Sequence, residues 1–357
     1  MTTITLPSMT PRPAWLSRAH GLVGVDVGTC GVKLAQLQQT SAGWRFHARW
    51  QIVNEEAHRL TRESLLQNGL AAQLSQIRQA SGMFTGRQAA AALPTPLLTL
   101  RCFEFPHGPA DEMRLMVEQE LAEDTEVAHG GHEFAAWIGV PDRNADRVIA
   151  ASADHALSLR LAKDLYAARL RTTVLDAAPC ALARAAALID PTQREPVAVL
   201  DLGYSLSSFT LVREGQPIYC RTFRGCGLQA VVQAMEERMQ LSAVECRHLL
   251  GRYGISFASA ASAGKAVGLA CEGVLNSLVD ELLRTLQFVQ SQLRLSPQKL
   301  WLAGTAGVIP NFAALLEESI QVPTAAWQLP GSDDATDAQY ATAAGLSAIA
   351  WENQPCT

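Results

Sequence analysis

Residues 21–37 read GLVGVDVGTCGVKLAQL, and residues 196–213 read PVAVLDLGYSLSSFTLVR. Each opens with an apolar run that ends in Asp-apolar-Gly, at Asp26-Val27-Gly28 and at Asp201-Leu202-Gly203. A short polar turn follows, then a second apolar run, then a turn marked by Gly43 or Gly215 and a third alternating stretch. The distance from the aspartate to that later glycine is similar in the two copies, 17 and 14 residues. Period-2 alternation bounded by turn residues predicts a three-stranded meander in each copy, so the chain carries an internal duplication.

The turns have a chemical logic. A glycine-bearing turn lets backbone N–H groups close on a phosphate, because no Cβ blocks the approach. An aspartate at the end of the preceding strand can orient a hydrated Mg²⁺ beside that phosphate. In the first copy the candidates are Asp26, Gly28, Thr29, Gly31 and Lys33, the last being one of four lysines in the chain. In the second they are Asp201, Gly203, Ser205 and Ser207. Two ordinary hairpins, with Asp and Gly as turn formers alone, are the plain alternative.

Working outward, 357 residues with 48% hydrophobic and 18% charged content supply a core and suggest two lobes. A net charge of -5 argues against a general nucleic-acid-binding surface. No run of eighteen uninterrupted apolar residues appears, so no membrane span is expected. The eight cysteines include no Cys-x-x-Cys, which points to a reducing compartment, the cytoplasm by default. Residues 1–20 lack the apolar segment of a signal peptide and read as a flexible tail. His129-Gly-Gly-His132 reads as a turn, and Gly264-Lys265 lacks the flanking residues of a P-loop.

Between and after the meanders, helices are expected over 62–80, 109–123, 154–169, 176–189, 229–240, 243–250 and 268–294, with a loop over 254–266. Strands are expected over 88–105 and as a pair within 132–153. The segment KLWLAGTAG, residues 299–307, reads as a strand entering a small-residue turn. Gly304 and Thr305 make it a third candidate ligand-contacting turn.

With these motifs in place, the chain resembles the actin, hexokinase and Hsp70 superfamily, and within it the PilM family of type IV pilus assembly proteins, related to FtsA. The likeness rests on VGVDVGTCGVKLAQL and on LDLGYSLSSFTLVREGQPIYCRTFRGCG. LPTPLLTLRCFEFP, DEMRLMVEQELAED and LWLAGTAGVIPNFAALLEESI add to it. The resemblance implies an α/β, actin-like ATPase fold of two duplicated ribonuclease H-like lobes with a small inserted α+β subdomain. The expected domains are a tail at 1–20, lobe I at 21–190 with its insert at about 95–172, lobe II at 191–351, and a C-terminal tail at 352–357.

It further implies ATP in the interlobe cleft. Asp26 and Asp201 would hold Mg²⁺ through water, and the glycine turns would hold the phosphates. Gly304 and Thr305 would lie under the base or ribose. Its functional implication is a cytoplasmic scaffold at the inner membrane that docks the N-terminal tail of a PilN-like bitopic protein and connects to pilus motor components. Contact with the membrane runs through partners alone, and self-association is left open. The docking groove would lie between the first lobe and the insert.

Departures from the family pattern are Ala303-Gly304 in place of paired glycines, Arg247 and Leu250 where an acidic residue and a lysine are usual, and Gly225-Cys226-Gly227 after the second meander. They weaken the adenosine-side contacts, so a degenerate pseudo-ATPase is one alternative and at most slow hydrolysis is expected. A small-molecule kinase is another; it would need a general base, for which Asp176 is the candidate. A polymerising division-type actin homologue is a third.

Overall fold

A computed structural model describes residues 19–41, 43–53, 61–123, 131–141, 145–257 and 263–352. Residues 1–18 of the tail predicted over 1–20, His129, residues 258–262 of the predicted loop and residues 353–357 of the tail predicted over 352–357 lie outside the described residues. The chain divides into two units, Met1–Ala185 with Thr342–Thr357, and Ala186–Ala341.

The first unit is built in chain order from β1 (Val23–Gly28), β2 (Gly31–Thr40), β3 (Gly43–Val53), α1 (Arg62–Asn68), α2 (Leu74–Ala80) and β4 (Gln88–Ala92). There follow β5 (Thr99–Phe105), α3 (Ala110–Glu123), β6 (His132–Pro141), β7 (Asp146–Asp154), α4 (His155–Ala167), β8 (Arg171–Asp176) and α5 (Ala178–Ile189). Its main sheet has the order β3-β2-β1-β4-β8. The meander is antiparallel, and β4 and β8 add in parallel beyond β1. Apart from Asp26, strand β1 is apolar, as suits a strand covered on both faces. Val23, Val25 and Val27 pack with Leu157, Leu161 and Leu165 of α4 on one side. On the other, Leu22, Ala90 and Ala92 meet Ala181 of α5.

The second unit contains β9 (Val197–Leu202), β10 (Leu206–Arg213), β11 (Gln216–Arg224), α6 (Leu228–Met239), α7 (Ala243–Tyr253), α8 (Ala263–Phe288), β12 (Leu300–Gly304), α9 (Phe312–Ile320) and β13 (Thr324–Ala326). Its sheet order, β11-β10-β9-β12-β13, is the same topology, with an antiparallel meander followed by two parallel additions. The duplication read from the sequence is therefore a duplication of whole sheets. Helix α8 ends in a π turn at Val289–Leu293. Leu275, Leu278, Leu282, Val289 and Leu293 are buried at helical spacing, and Leu286 is half-buried.

The insert is a three-stranded sheet, β5-β7-β6, backed by α3. Phe105, Met113, Val117, Leu121, Val148 and Ala150 form its own small core. It is shorter than the predicted 95–172, because α4 belongs to the core of the main sheet.

Helix α8 begins at Ala263, inside the loop expected over 254–266, and two further expectations change. The single helix predicted over 62–80 is two helices, broken at Gly69, which takes φ 56°. Asp164 accepts the Leu70 N–H at 2.8 Å and Arg160 Nη1 donates to the Leu66 carbonyl at 3.0 Å, so tertiary partners take over the hydrogen bonding that a continuous helix would supply. The other change concerns α10 (Ala341–Ala348), expected in the second lobe, which packs in the first unit. A Cβ on Gly345 would sit 1.8 Å from the Ala181 carbonyl oxygen, and one on Gly24 1.9 Å from that of Ala343. Small residues on α10, α5 and β1 permit that approach.

Candidate functional site

Each duplicated turn is held by its own strands. In the first, Gly28 pairs with Gly31 and leaves Thr29-Cys30 as a two-residue loop. A Cβ on Gly31 would lie 2.0 Å from the Ile52 carbonyl, so the close pass of β3 requires glycine there. Asp26 and Lys33 are cross-strand partners. Burial pushes the Asp26 carboxyl above its usual range, and the Lys33 ammonium pulls it part of the way back. Thr29 is buried in the turn.

In the second, Ser208 pairs with Asp201 and Ser207 with Leu202, and Gly203-Tyr204-Ser205 connect the end of β9 to the start of β10 at Leu206. The carbonyls of Gly203 and Tyr204 accept from the N–H groups of Leu228 and Gln229, at 3.0 and 2.8 Å. The first turn of α6 thus spends these donors on the loop. Ser207 is fully buried and donates its hydroxyl proton to the Cys226 carbonyl at 2.7 Å. It braces the turn from behind, whereas the sequence had placed it among the phosphate ligands.

The late turn joins this second one. Strand β12 runs parallel to β9, and Gly304 sits opposite Leu202 with φ 64°. A Cβ on Gly304 would come within 2.2 Å of Asp201 Oδ1. Thr305 opens a short 3₁₀ turn at Thr305–Val308. Asp201, Gly304 and the Gly203 loop are therefore brought together inside one unit.

A cavity in the first unit lies elsewhere. It has a volume of about 240 Å³ and runs between the free side of β8, the face of α4 and the strands of the insert. Its lining is mostly apolar, with Leu93, Leu98, Leu159 and Val174 among its walls. At one wall Glu133 Oε1 meets His155 Nδ1 at 2.8 Å. At the other, Asp176 Oδ2 receives Arg184 Nη1 at 2.5 Å, and Oδ1 accepts the Ala177 N–H at 2.8 Å. Arg184 also bridges to Glu352, and its paired carboxylates hold the guanidinium charged. With both oxygens of Asp176 engaged, the residue is poorly placed as the general base a kinase reading requires. The Thr172 hydroxyl on this lining is buried and has no hydrogen-bond partner.

Of the residues on this lining the sequence marks Asp176 alone, and for a different role. Thr172, Glu133 and His155 carry no local motif. The signal they do carry, polar residues flanking short apolar runs, is common to many surfaces.

A family model described as Type IV pilus assembly protein PilM matches residues 24–330. The chain belongs to the PilM family. Among solved structures, one described as the PilM-PilN type IV pilus biogenesis complex is similar at a TM-score of 0.74 and 22% identity, covering 93% of this chain and 99% of that one. The ethanolamine utilization protein EutJ from Carboxydothermus hydrogenoformans is similar at 0.57 and 13% identity, covering 96% and 91%. MreB 5 of Spiroplasma citri, bound to AMPPNP, is similar at 0.53 and 8%, covering 94% and 96%. These neighbours share the actin-like ATPase fold, as the resemblance implied. The chain is a PilM-like type IV pilus assembly protein. No helix among the described residues is long and apolar enough to cross a membrane.

Proposed function

We propose that this PilM-family chain is a cytoplasmic scaffold of pilus assembly that docks the N-terminal tail of a PilN-like bitopic inner-membrane protein. The groove between β8, α4 and the insert receives the tail. The observation that carries this reading is the apolar cavity at that place. It is supported by the similarity to a PilM protein described in complex with PilN. Docking of this kind would set the scaffold against the cytoplasmic face of the inner membrane and put it in reach of motor components without a membrane segment of its own. The test is calorimetry with a synthetic peptide of the partner's cytoplasmic tail. We expect micromolar binding to the wild type and its loss in Leu159→Arg, a change on an exposed helical position of the groove wall.

A second reading concerns nucleotide. Gly28, Thr29, Gly31 and Lys33 are proposed as phosphate contacts in the first unit. Gly203 and Ser205 have the same role in the second, with Gly304 and Thr305 toward the nucleoside. The close contact of Gly304 with Asp201 favours this reading, since it gathers a carboxylate and two glycine turns in one place. Asp26 and Asp201 fit a hydrated Mg²⁺. Both are hard oxygen donors at strand ends, and burial at Asp26 leaves a carboxylate that a cation would stabilise. Bound Mg²⁺–ATP would act as a ligand that biases the scaffold, with hydrolysis slow or absent. Mg²⁺–ATP titration of the wild type and of Asp26→Ala/Lys33→Ala tests it. Micromolar binding lost in the variant supports a phosphate clamp, and no heat with a folded wild type favours the pseudo-ATPase.

A further inference from the structure

The chain up to the end of the first meander differs in charge from everything after it. Residues 1–53 hold five Lys and Arg against a single acidic residue, Asp26, whereas residues 54–357 hold 24 basic and 33 acidic residues. An excess of positive charge confined to one segment of an acidic chain favours contact with an anionic partner. Asp26 does little to offset that excess elsewhere, because it sits in the sheet beside Lys33.

Part of this charge is gathered at one place. β3 is the outer strand of the main sheet, and it carries Trp44-Arg45-Phe46-His47-Ala48-Arg49-Trp50. Its pairing with β2 passes from Ala48–Gln36 to Phe46–Leu37, so His47 is the extra residue of a bulge. Strict alternation would put Phe46 on the face of Ala48 and Trp50. With the bulge, Ala48, Trp50 and Ile52 pack into the core, and Arg49 comes over the Phe46 ring, its Cζ 5.3 Å from the centroid. Trp44 meets Trp351 edge to face with centroids 4.7 Å apart, and His47 meets His20 at 4.4 Å. These residues lie at the end of the meander away from the Gly28–Gly31 turn. Arg45 is exposed and donates Nε and Nη2 to Gln38 Oε1, a neutral acceptor, so its charge meets no carboxylate among the described residues. The crowding of positive charge is felt at His47, whose pKa is lowered by burial and then by His20 and Arg45.

The details select among anionic partners. An added strand from another protein needs a regular outer edge, which the bulge interrupts. A single-stranded nucleic acid stacks its bases on open ring faces. Here the rings are engaged with one another, Trp44 with Trp351 and His20 with His47, and Arg49 lies over Phe46. Half-buried aromatic rings beside arginines suit a membrane interface, where ring bodies sit among the headgroups and guanidinium groups meet phosphates. We infer that this end of the first meander, centred on Arg45 with Trp44, Phe46 and Arg49, is a contact face for anionic phospholipid headgroups. The contact is direct, whereas the resemblance implies that the membrane is reached through partners alone. So few basic residues bind a bilayer weakly and reversibly, so the face orients the scaffold on the surface and does not anchor it.

The experiment is flotation of the full chain with large unilamellar vesicles at millimolar lipid, made of phosphatidylcholine with or without phosphatidylglycerol. The wild type should float with the anionic vesicles and not with the neutral ones, and raised salt should release it. Arg45→Glu should lower partitioning by roughly tenfold, and Arg45→Lys, which keeps the charge, should retain it. Arg252→Glu makes the same charge change on α7 and should leave flotation unchanged. Thermal unfolding of each variant checks that the fold is kept, as the exposure of Arg45 leads us to expect. Equal flotation with both kinds of vesicle, no flotation at all, or flotation indifferent to Arg45→Glu overturns the inference. An equal loss in Arg252→Glu would reduce the effect to net charge and overturn it as well. A fluorescein-labelled oligouridylate is the second probe, and its capture in place of the vesicles would assign the face to nucleic acid instead.

Discussion

Gly304 and Asp201 approach so closely that a Cβ on residue 304 would stand 2.2 Å from the Asp201 carboxylate oxygen. The contact is made possible by the parallel pairing of β12 with β9 and by the left-handed conformation of Gly304. Gly304→Ala must therefore move the carboxylate and strain the backbone. We expect a loss of about 1–3 kcal/mol of stability. Any Mg²⁺–ATP affinity of the wild type should fall more steeply than that of a variant with equal stability loss elsewhere. Urea unfolding and calorimetry on the same samples measure the two effects.

Asp26 supplies a pH prediction. Its carboxyl is raised in the folded state by burial, so the folded chain holds that proton more tightly than the unfolded chain. The contribution is present below the unfolded carboxylate range and is lost as pH rises through the raised folded value. Asp26→Asn, which cannot ionise, should therefore gain stability relative to the wild type as pH climbs from about 4 to 7. Thermal unfolding across that window is the measurement; a constant difference would contradict the buried-charge account.

Arg184 ties Asp176 at the end of β8 to Glu352 near the C-terminus, and all three side chains belong to the first unit. Arg184→Met should cost about 3–5 kcal/mol, because Asp176 is left buried and unpaired. The double variant Arg184→Met/Asp176→Asn should recover part of that loss. Denaturant midpoints of the single and double variants decide it.

Ser347, fully buried on α10, donates to the Leu22 carbonyl at 2.6 Å and accepts the Leu37 N–H at 2.9 Å. Ser347→Ala leaves that carbonyl and that N–H without their partner, and a destabilisation of about 1–3 kcal/mol is expected. Hydrogen exchange at Leu37 should accelerate in the variant. If α10 contributed nothing to the first sheet, neither quantity would move.

Much of the fold was legible because its strongest signals are local. The Asp-apolar-Gly ends of β1 and β9 announce two meanders, and the buried leucines of α8 follow its helical period. Gly69 shows the limit. It sits in a helical pattern, and a lone glycine in such a pattern is compatible with continuation. Only Asp164 and Arg160, nearly a hundred residues away, end the helix there. Ser207 shows the same limit in the site, since its placement beside Gly203 and Ser205 in sequence says nothing about the Cys226 carbonyl behind it.

The sequence by itself determined the duplication, the α/β class, the two aspartate-glycine turns and the family, because alternation, turn residues and motif spacing are written over short stretches of chain. Tertiary structure decided which unit holds α10, how far the insert extends, and that Gly304 meets Asp201. It also decided that Thr172, Glu133 and Leu159 share one groove. Those facts depend on residues distant in the chain meeting across strand edges and helix faces. Close packing and the pairing of buried polar groups choose those partners, and a local pattern does not record them.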